Sequence, residues 1–375
     1  MIELTKEQKY AHDTIMDFQE SKEDLLTLGG YAGTGKTTTI GITAESLKKK
    51  KLKLAFCALS GKAASMLASK LKYTLEPGDY CGTIHNLIYI LIGVDNKKIG
   101  ENEVRPELFF ELDKRRLNFD LIIVDEASMI SEQIYDDLAQ HGIPIVAVGD
   151  HGQLPPIAGN FNLMEDPDIK LEKIMRQAED DPIIQVSIMA RLEGHIPFGN
   201  FGDKVKKTGD IKAINEHRFD DLDSIILCAT NSTRKALHRK ARETLGIVGD
   251  VQKGEPVICL QNNSKAKIFN GNIGVIERIE FGNDDAYEVR IGMGDFDFQG
   301  YMLREQFNRL YTGERVPGID LFDWAYAITV HKSQGSEWNH VTLYEDRMRS
   351  QDDDNWRRWL YTAVTRAKES LLIIG

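Results

Sequence analysis

Cysteine is scarce in this chain, positive charge is not in excess and no long apolar run occurs, and each shortage removes a class of function. The four cysteines, Cys57, Cys81, Cys228 and Cys259, stand far apart and mostly inside apolar stretches. That spacing argues for buried thiols over a zinc site or a disulfide framework. No segment approaches the roughly eighteen consecutive apolar residues of a membrane span. The opening residues, Met1-Ile2-Glu3-Leu4-Thr5-Lys6-Glu7, lack the basic-then-apolar profile of a signal peptide. A soluble, intracellular chain with no membrane partner is expected. A net charge of −11 argues against general coating of nucleic acid, although it leaves room for a local basic or polar track.

What is present points to nucleotide chemistry. At 375 residues with 42% hydrophobic residues, the chain exceeds what one core usually serves, so two or more packed domains are expected. Gly30 to Thr37, Gly-Tyr-Ala-Gly-Thr-Gly-Lys-Thr, fits the GxxxxGK[ST] pattern between an apolar strand-like run, Leu25 to Leu28, and a helix-like stretch, Thr38 to Leu47. In such a loop Gly30, Ala32, Gly33, Thr34, Gly35 and Thr38 offer backbone N–H groups to the β- and γ-phosphates of ATP. Lys36 adds a point charge, and the Thr37 hydroxyl can ligand Mg²⁺.

A second run, Leu121-Ile122-Ile123-Val124-Asp125-Glu126, is an apolar strand ending in two acids. Asp125 can hold Mg²⁺ while Glu126 orients and deprotonates an attacking water. A third, Ile143 to Val148, leads into Gly149-Asp150-His151-Gly152-Gln153-Leu154-Pro155-Pro156. Loops that follow strands of one parallel sheet meet at one edge, which brings Gln153 toward the same phosphate.

Taken together, the chain resembles superfamily 1 helicases of the 5′→3′ group, near RecD and the phage Dda helicase, from residue 5 to residue 375. Thr5 to Ala11 resembles the adenine-reading segment, with Gln8 as the reading amide. Ala58-Leu59-Ser60-Gly61-Lys62-Ala63-Ala64 and Thr83-Ile84-His85 resemble two segments that contact single strands in the family, although Leu59-Ser60 stands where the family commonly has Pro-Thr. Leu171 to Arg191 carries Leu-Glu-Lys-Ile-Met-Arg-Gln and then a helix ending Met-Ala-Arg. Ala325 to Glu337 and Leu360 to Lys368 resemble the family's last two motifs.

The resemblance implies tandem RecA-like α/β domains, parallel sheets flanked by helices. Residues 1–85 with 119–175 form the first, and 176–260 with 321–375 the second. Two insertions interrupt them: a hairpin or helix-plus-hairpin at 86–118, with a turn-rich centre, and an SH3-like β-barrel at 261–320, where short alternating patches read as antiparallel strands. ATP and Mg²⁺ lie between the two domains, where Lys36, Asp125, Glu126, Gln153 and the arginines Arg176 and Arg366 carry catalysis. Gly335 and Glu337 lie near the ribose and phosphates. Single-stranded DNA meets Ser60, Lys62, Thr83, His85, Pro155, Thr230, Asn231, Thr329, His331, Lys332 and Ser333.

The implied activity is unwinding of duplex or fork DNA by a monomeric motor in the bacterial or phage-infected cytoplasm, with replication, recombination or repair proteins as further partners. An ATPase translocase that displaces proteins without opening duplex is the alternative. A bare basic helix after Thr230-Asn231, with Arg234, Lys235, Arg239, Lys240 and Arg242, reads as a solvated face or as a nucleic-acid contact.

Overall fold

The computed structural model describes residues 4–98, 104–156, 161–175, 179–219, 221–263, 266, 268–283, 286–294, 296–309, 316, 318–348 and 351–375, with the side chains of 91–98, 104–110 and 283 outside the description. The chain divides into two compact units, Met1–Ile90 with Glu111–Arg191, and Leu91–Phe110 with Leu192–Gly375.

The first unit begins with α1 (Lys6–Phe18), β1 (Leu25–Gly30), α2 (Lys36–Lys49), β2 (Leu54–Ala58), α3 (Gly61–Lys70), β3 (Tyr80–Thr83) and α4 (Ile84–Ile88). After β4 (Tyr89–Lys98) and β5 (Val104–Leu112) it continues through β6 (Leu121–Asp125), α5 (Glu132–Ala139), β7 (Ile145–Gly149), β8 (Ile169–Leu171) and α6 (Pro182–Glu193). Strands β2, β6 and β7 read as near-continuous apolar runs because both faces of their sheet are covered. The sheet runs β3-β2-β6-β7-β1-β8, all parallel. Ile15, Phe18, Ile40, Leu47 and Leu67 pack on one face, and Ile84, Ile88, Ile130 and Leu138 on the other.

Register decides where the loops emerge. Ala58 of β2 lies opposite both Thr83 of β3 and Asp125 of β6, and Gly29 of β1 lies opposite Gly149 of β7. The chain therefore leaves five neighbouring strands at one level of one edge, where a parallel sheet places its ligand crevice.

Consecutive strands β4 and β5 pair as a separate two-stranded sheet. Its base is fixed in the first unit: the Asp113 N–H donates to the Ile88 carbonyl at 2.6 Å, and the Tyr89 hydroxyl donates to Asp137 at 2.5 Å. Of the insertion expected at 86–118, residues up to Ile88 belong to α4, while 99–103 lie outside the described residues.

In the second unit follow β9 (Gly199–Phe201), β10 (Val205–Thr208), β11 (Ser224–Cys228), α7 (Asn231–Thr244), β12 (Pro256–Cys259), β13 (Ile273–Asn283), β14 (Ala286–Gly292) and β15 (Asp297–Leu303). The remainder is β16 (Phe322–Trp324), β17 (Ala327–Thr329), α8 (Val330–Ser333), β18 (Trp338–Tyr344), α9 (Asp353–Val364) and β19 (Ala367–Ile374). One sheet, β17-β11-β18-β19-β10-β9, is parallel except for its edge strand β9. A second, β15-β14-β13-β12-β16, is antiparallel. That sheet takes in β12 and β16, on either side of the stretch 261–320 expected for it. Both sheets bury side chains in one cluster that includes Ile226, Cys228, Val257, Ile291, Phe322 and Trp324. The β insertion therefore shares its core with the α/β unit.

Two arginines of the basic helix are taken up inside the fold, while Arg239 and Lys240 are exposed, as a solvated face requires. Arg234 and Arg242 are buried, and their guanidinium groups pair with Asp323 at 2.6 Å and Glu255 at 2.7 Å, joining α7 to the antiparallel sheet. Arg242 also stacks 4.4 Å over the Trp324 ring. All four cysteines are free; Cys57, Cys228 and Cys259 are buried and Cys81 is partly so. Among the described residues no helix is long and apolar enough to cross a membrane.

Candidate nucleotide and nucleic-acid site

The phosphate loop owes its shape to two glycines. Gly33 and Gly35 have φ of 79° and 80°, the left-handed region that L side chains avoid, and they turn the chain from β1 into the first turn of α2. Lys36 lies along its own loop: its ammonium donates to the Gly30 carbonyl at 2.5 Å and the Tyr31 carbonyl at 3.1 Å. It stands 3.8 Å from Asp150, a carboxylate only 2% exposed.

Gln8 also belongs to this loop. Its Nε2 donates to the Thr34 carbonyl at 3.0 Å and approaches the Met175 sulfur at 3.5 Å, while its Oε1 accepts the Thr5 N–H at 3.0 Å in a capping box. The segment leading to Arg176 is tied to the same place. Glu7 accepts the backbone N–H groups of Glu172 and Lys173, each at 3.0 Å, and the Met175 N–H donates to the Gly33 carbonyl at 3.0 Å. Arg176 itself lies outside the described residues. The first unit extends to Arg191, past the boundary expected at 175, and the Arg191 guanidinium lies 3.5 Å over the ring of Tyr31 in the phosphate loop.

Asp125 closes β6 and Glu126 follows it directly. Asp125 accepts the Glu126 N–H at 3.0 Å, and its burial lifts its carboxyl above the ordinary range against the pull of that N–H, Lys36 and Lys70. Glu126 adopts φ 54° and ψ 40°, a left-handed conformation that a non-glycine residue enters at a cost of about 1–3 kcal/mol. Such strain is concentrated at functional sites. After β7, Asp150 accepts the Gly152 N–H at 2.9 Å, and the Gln153 amide lies 3.4 Å from its other oxygen. Asp150, Tyr31, His151 and Arg191 were missed by the sequence reading as site residues. A signal existed for Asp150, an acid directly after an apolar strand like Asp125, but the others are brought together only by folding.

Four of the five hydroxyls expected to meet nucleic acid share one local geometry. Ser60, Thr83, Thr230 and Thr329 are the N-caps of α3, α4, α7 and α8, accepting N–H groups of Ala63, Asn86, Thr233 and Lys332 at 3.1, 3.3, 3.1 and 3.4 Å. In each unit the caps follow adjacent strands: Ala58 pairs with Thr83, and Cys228 with Thr329. Helix N-termini side by side at a sheet edge suit phosphate oxygens. Asp346 fixes the turn before α7, accepting the N–H groups of Ala229 at 2.5 Å and Thr230 at 3.3 Å.

The other expected contacts divide. Lys62, His85, Pro155 and Asn231 are partly or fully exposed, and burial pushes the imidazole of His85 toward its neutral form. Burial does the same to His331 and pulls Lys332 down to about 8; the Lys332 ammonium donates to Asn270 at 3.1 Å. Ser333 is 0% exposed and donates to the Val330 carbonyl at 2.7 Å, so its hydroxyl serves the helix.

Arg366 is 4% exposed and engaged within the second unit, donating to the carbonyls of Thr362 and Ser336 at 3.0 and 3.1 Å and to the Thr365 hydroxyl at 3.1 Å. Gly335 has φ 70°, and exposed Glu337 pairs with Lys368 at 3.3 Å.

Comparison with known proteins agrees with this arrangement. Residues 3–216 match the AAA domain family, and residues 324–374 match the UvrD-like helicase C-terminal domain. The ATP-dependent RecD2 DNA helicase of Deinococcus radiodurans is 28% identical over 380 residues, covering 94% of this chain and 47% of that protein. The RecBCD enzyme subunit RecD of Mycobacterium tuberculosis is 23% identical over 425 residues, covering 94% of this chain and 67% of that protein. The chain thus spans about half the length of the RecD2 relative. Among solved structures, Bacteroides Pif1 bound to single-stranded DNA shares the fold with a TM-score of 0.59 at 19% identity, over 100% of this chain and 93% of that one. A Pif1 structure at forked double-stranded DNA gives 0.58 at 20% identity, over 100% and 92%. With its phosphate loop, acid-tipped strand and N-capped sheet edges in these positions, the chain belongs to the AAA domain family and is similar to the RecD-like superfamily 1 helicases.

Proposed function

We propose that the chain is an ATP-dependent DNA helicase that moves 5′→3′ on single-stranded DNA and opens duplex ahead of it. The observation that carries this reading is the convergence of Lys36, Asp125, Glu126, Asp150 and Gln153 on the sheet edge that also presents the N-caps Ser60 and Thr83. Catalytic and strand-gripping groups on one rigid edge can respond to the same nucleotide.

Lys36 leaves its loop carbonyls for the β- and γ-phosphates, where its charge stabilises the transition state. Glu126 orients water and takes its proton as the water oxygen bonds to the γ-phosphorus. The bond from phosphorus to the bridging oxygen breaks, and ADP leaves with phosphate. Thr37 and Asp125 offer the hard oxygens that suit Mg²⁺, which neutralises charge on the phosphates when bound; the burial that lifts the Asp125 carboxyl is what a divalent cation would offset. Gln153, Arg176 and Arg366 complete the γ-phosphate shell, as the family resemblance implies. Gly335 and Glu337 border the nucleotide. Ser60, Thr83, Thr230 and Thr329 hold backbone phosphates, which makes the grip indifferent to sequence.

The test is strand displacement on forks carrying either a 5′ or a 3′ tail, with ATPase measured alongside and Lys36→Ala as control. Unwinding that needs the 5′ tail, ATP and Lys36 is expected; a requirement for the 3′ tail reverses the polarity. ATP turnover on DNA without strand separation would select the translocase reading. The paired strands β4 and β5 are proposed as the wedge. Replacing 97–104 by a short Gly-Ser turn is then expected to keep DNA-stimulated ATPase and sharply slow unwinding, and equal loss of both would make the segment structural.

A further inference from the structure

We propose that Arg191 is a positioning residue for the phosphate loop and acts through the ring of Tyr31. The inference rests on the nucleotide-binding part of the function just proposed. Three observations meet at Tyr31. Its ring has two close partners, the Arg191 guanidinium 3.5 Å from the ring centroid and the His151 imidazole at a centroid distance of 4.0 Å. Its carbonyl is where the loop's donors gather: the Lys36 ammonium at 3.1 Å, the Thr34 hydroxyl at 2.8 Å and the Thr34 N–H at 3.3 Å. Its N–H donates to the Leu171 carbonyl of β8 at 3.4 Å.

Holding the ring therefore sets the peptide that carries the carbonyl, and the carbonyl sets where Lys36 rests. His151 has little room to yield, because it packs on β1 so closely that a Cβ on Gly29 would come within 2.8 Å of its Nδ1. Burial also pushes its imidazole toward the neutral form, so it faces the Tyr31 ring as an uncharged surface. Arg191 is the charged side of the contact. A guanidinium over an aromatic face is attracted by the ring quadrupole, which biases a glycine-rich loop toward the conformation that keeps the contact. All these residues lie in the first unit. Arg191 touches the ring and need not reach nucleotide, so its effect should fall on binding.

The test uses the full chain, methylanthraniloyl-labelled ATP for affinity and steady-state ATPase on single-stranded DNA. Arg191→Ala is expected to weaken labelled-ATP binding and raise KM by about tenfold, with kcat within threefold of wild type. Tyr31→Leu, which keeps apolar volume but loses the π face, should do the same. The double variant should be no more than about twofold worse than either single one, since both remove one interaction. Tyr31→Phe, which restores the ring, should bind at least fivefold tighter than Tyr31→Leu, and Arg191→Lys should recover part of the loss. Multiplying effects in the double variant would overturn the proposal, as would Tyr31→Phe behaving like Tyr31→Leu, or Arg191→Ala lowering kcat at unchanged KM. If Arg191→Ala melts well below wild type, the Tyr31→Phe and Tyr31→Leu pair decides. A wild-type chain that binds labelled ATP but separates no strands removes the helicase reading and leaves this inference standing; one that binds no nucleotide removes both.

Discussion

The side-chain amide of Gln8 donates to the Thr34 carbonyl across 3.0 Å, so the helix that precedes the sheet holds the phosphate loop directly. Its oxygen is taken up by the Thr5 N–H, and the side chain is 2% exposed. A residue expected to read adenine therefore also braces the loop that binds phosphate. Gln8→Ala is expected to raise the KM for ATP about tenfold and, because the brace serves any triphosphate, to raise it for GTP as well. Gln8→Glu should be as harmful, since its carboxylate cannot donate to Thr34. A loss confined to ATP in nucleotide competition would assign Gln8 to the base alone.

Glu126→Gln keeps shape and burial but removes the proton acceptor. Nucleotide affinity is expected to stay within about tenfold of wild type while hydrolysis falls by about a hundredfold or more, the range for a general base. Rapid-quench measurement of a single turnover separates the two. A variant that still cycles would move the base elsewhere.

Lys332 gives a pH signature. Burial pulls it down to about 8, with Arg234 adding to the fall and Cys259 and Asp323 opposing it. The unfolded chain keeps an ordinary lysine, so between about pH 8 and 10.4 it binds more protons than the folded chain, and stability from this group rises with pH. Below about 8 the penalty for holding the charge is present in full. Melting temperatures of wild type and Lys332→Met are therefore expected to converge as pH rises from 7.5 to 10, with the methionine variant ahead at the lower end. Parallel curves would show that Lys332 titrates as in water.

Glu255 is 0% exposed and accepts from Arg242 at 2.7 Å, the Gln252 N–H at 2.7 Å and the Tyr326 hydroxyl at 3.0 Å. Glu255→Ala strands a buried guanidinium and is expected to cost about 3–5 kcal/mol in urea unfolding. Arg242→Ala with Glu255→Ala should cost less than the sum of the single changes. Additive losses would mean that the pair contributes nothing as a pair.

The strands, the phosphate loop and the acids that follow them are legible along the chain. Gly-Tyr-Ala-Gly-Thr-Gly-Lys-Thr after an apolar run leaves few alternatives to a strand, a phosphate loop and a helix, and the runs ending in Asp125 and at Gly149 became β6 and β7 because strands covered on both faces are apolar throughout. The family was legible for the same reason, since its motifs are contiguous in the chain. Tertiary structure decided what depends on partners distant in sequence. A basic stretch such as that of α7 carries no sign that Asp323 and Glu255 will take up two of its arginines, and Ser333 reads like Thr329 until the helix turns one inward and leaves the other at its cap. Nothing local to Arg191 or His151 marks them as neighbours of Tyr31. Periodicity and backbone preference are local and can be read along the chain, whereas a stacked cation or a buried ion pair exists only where folding brings distant side chains within a few ångströms.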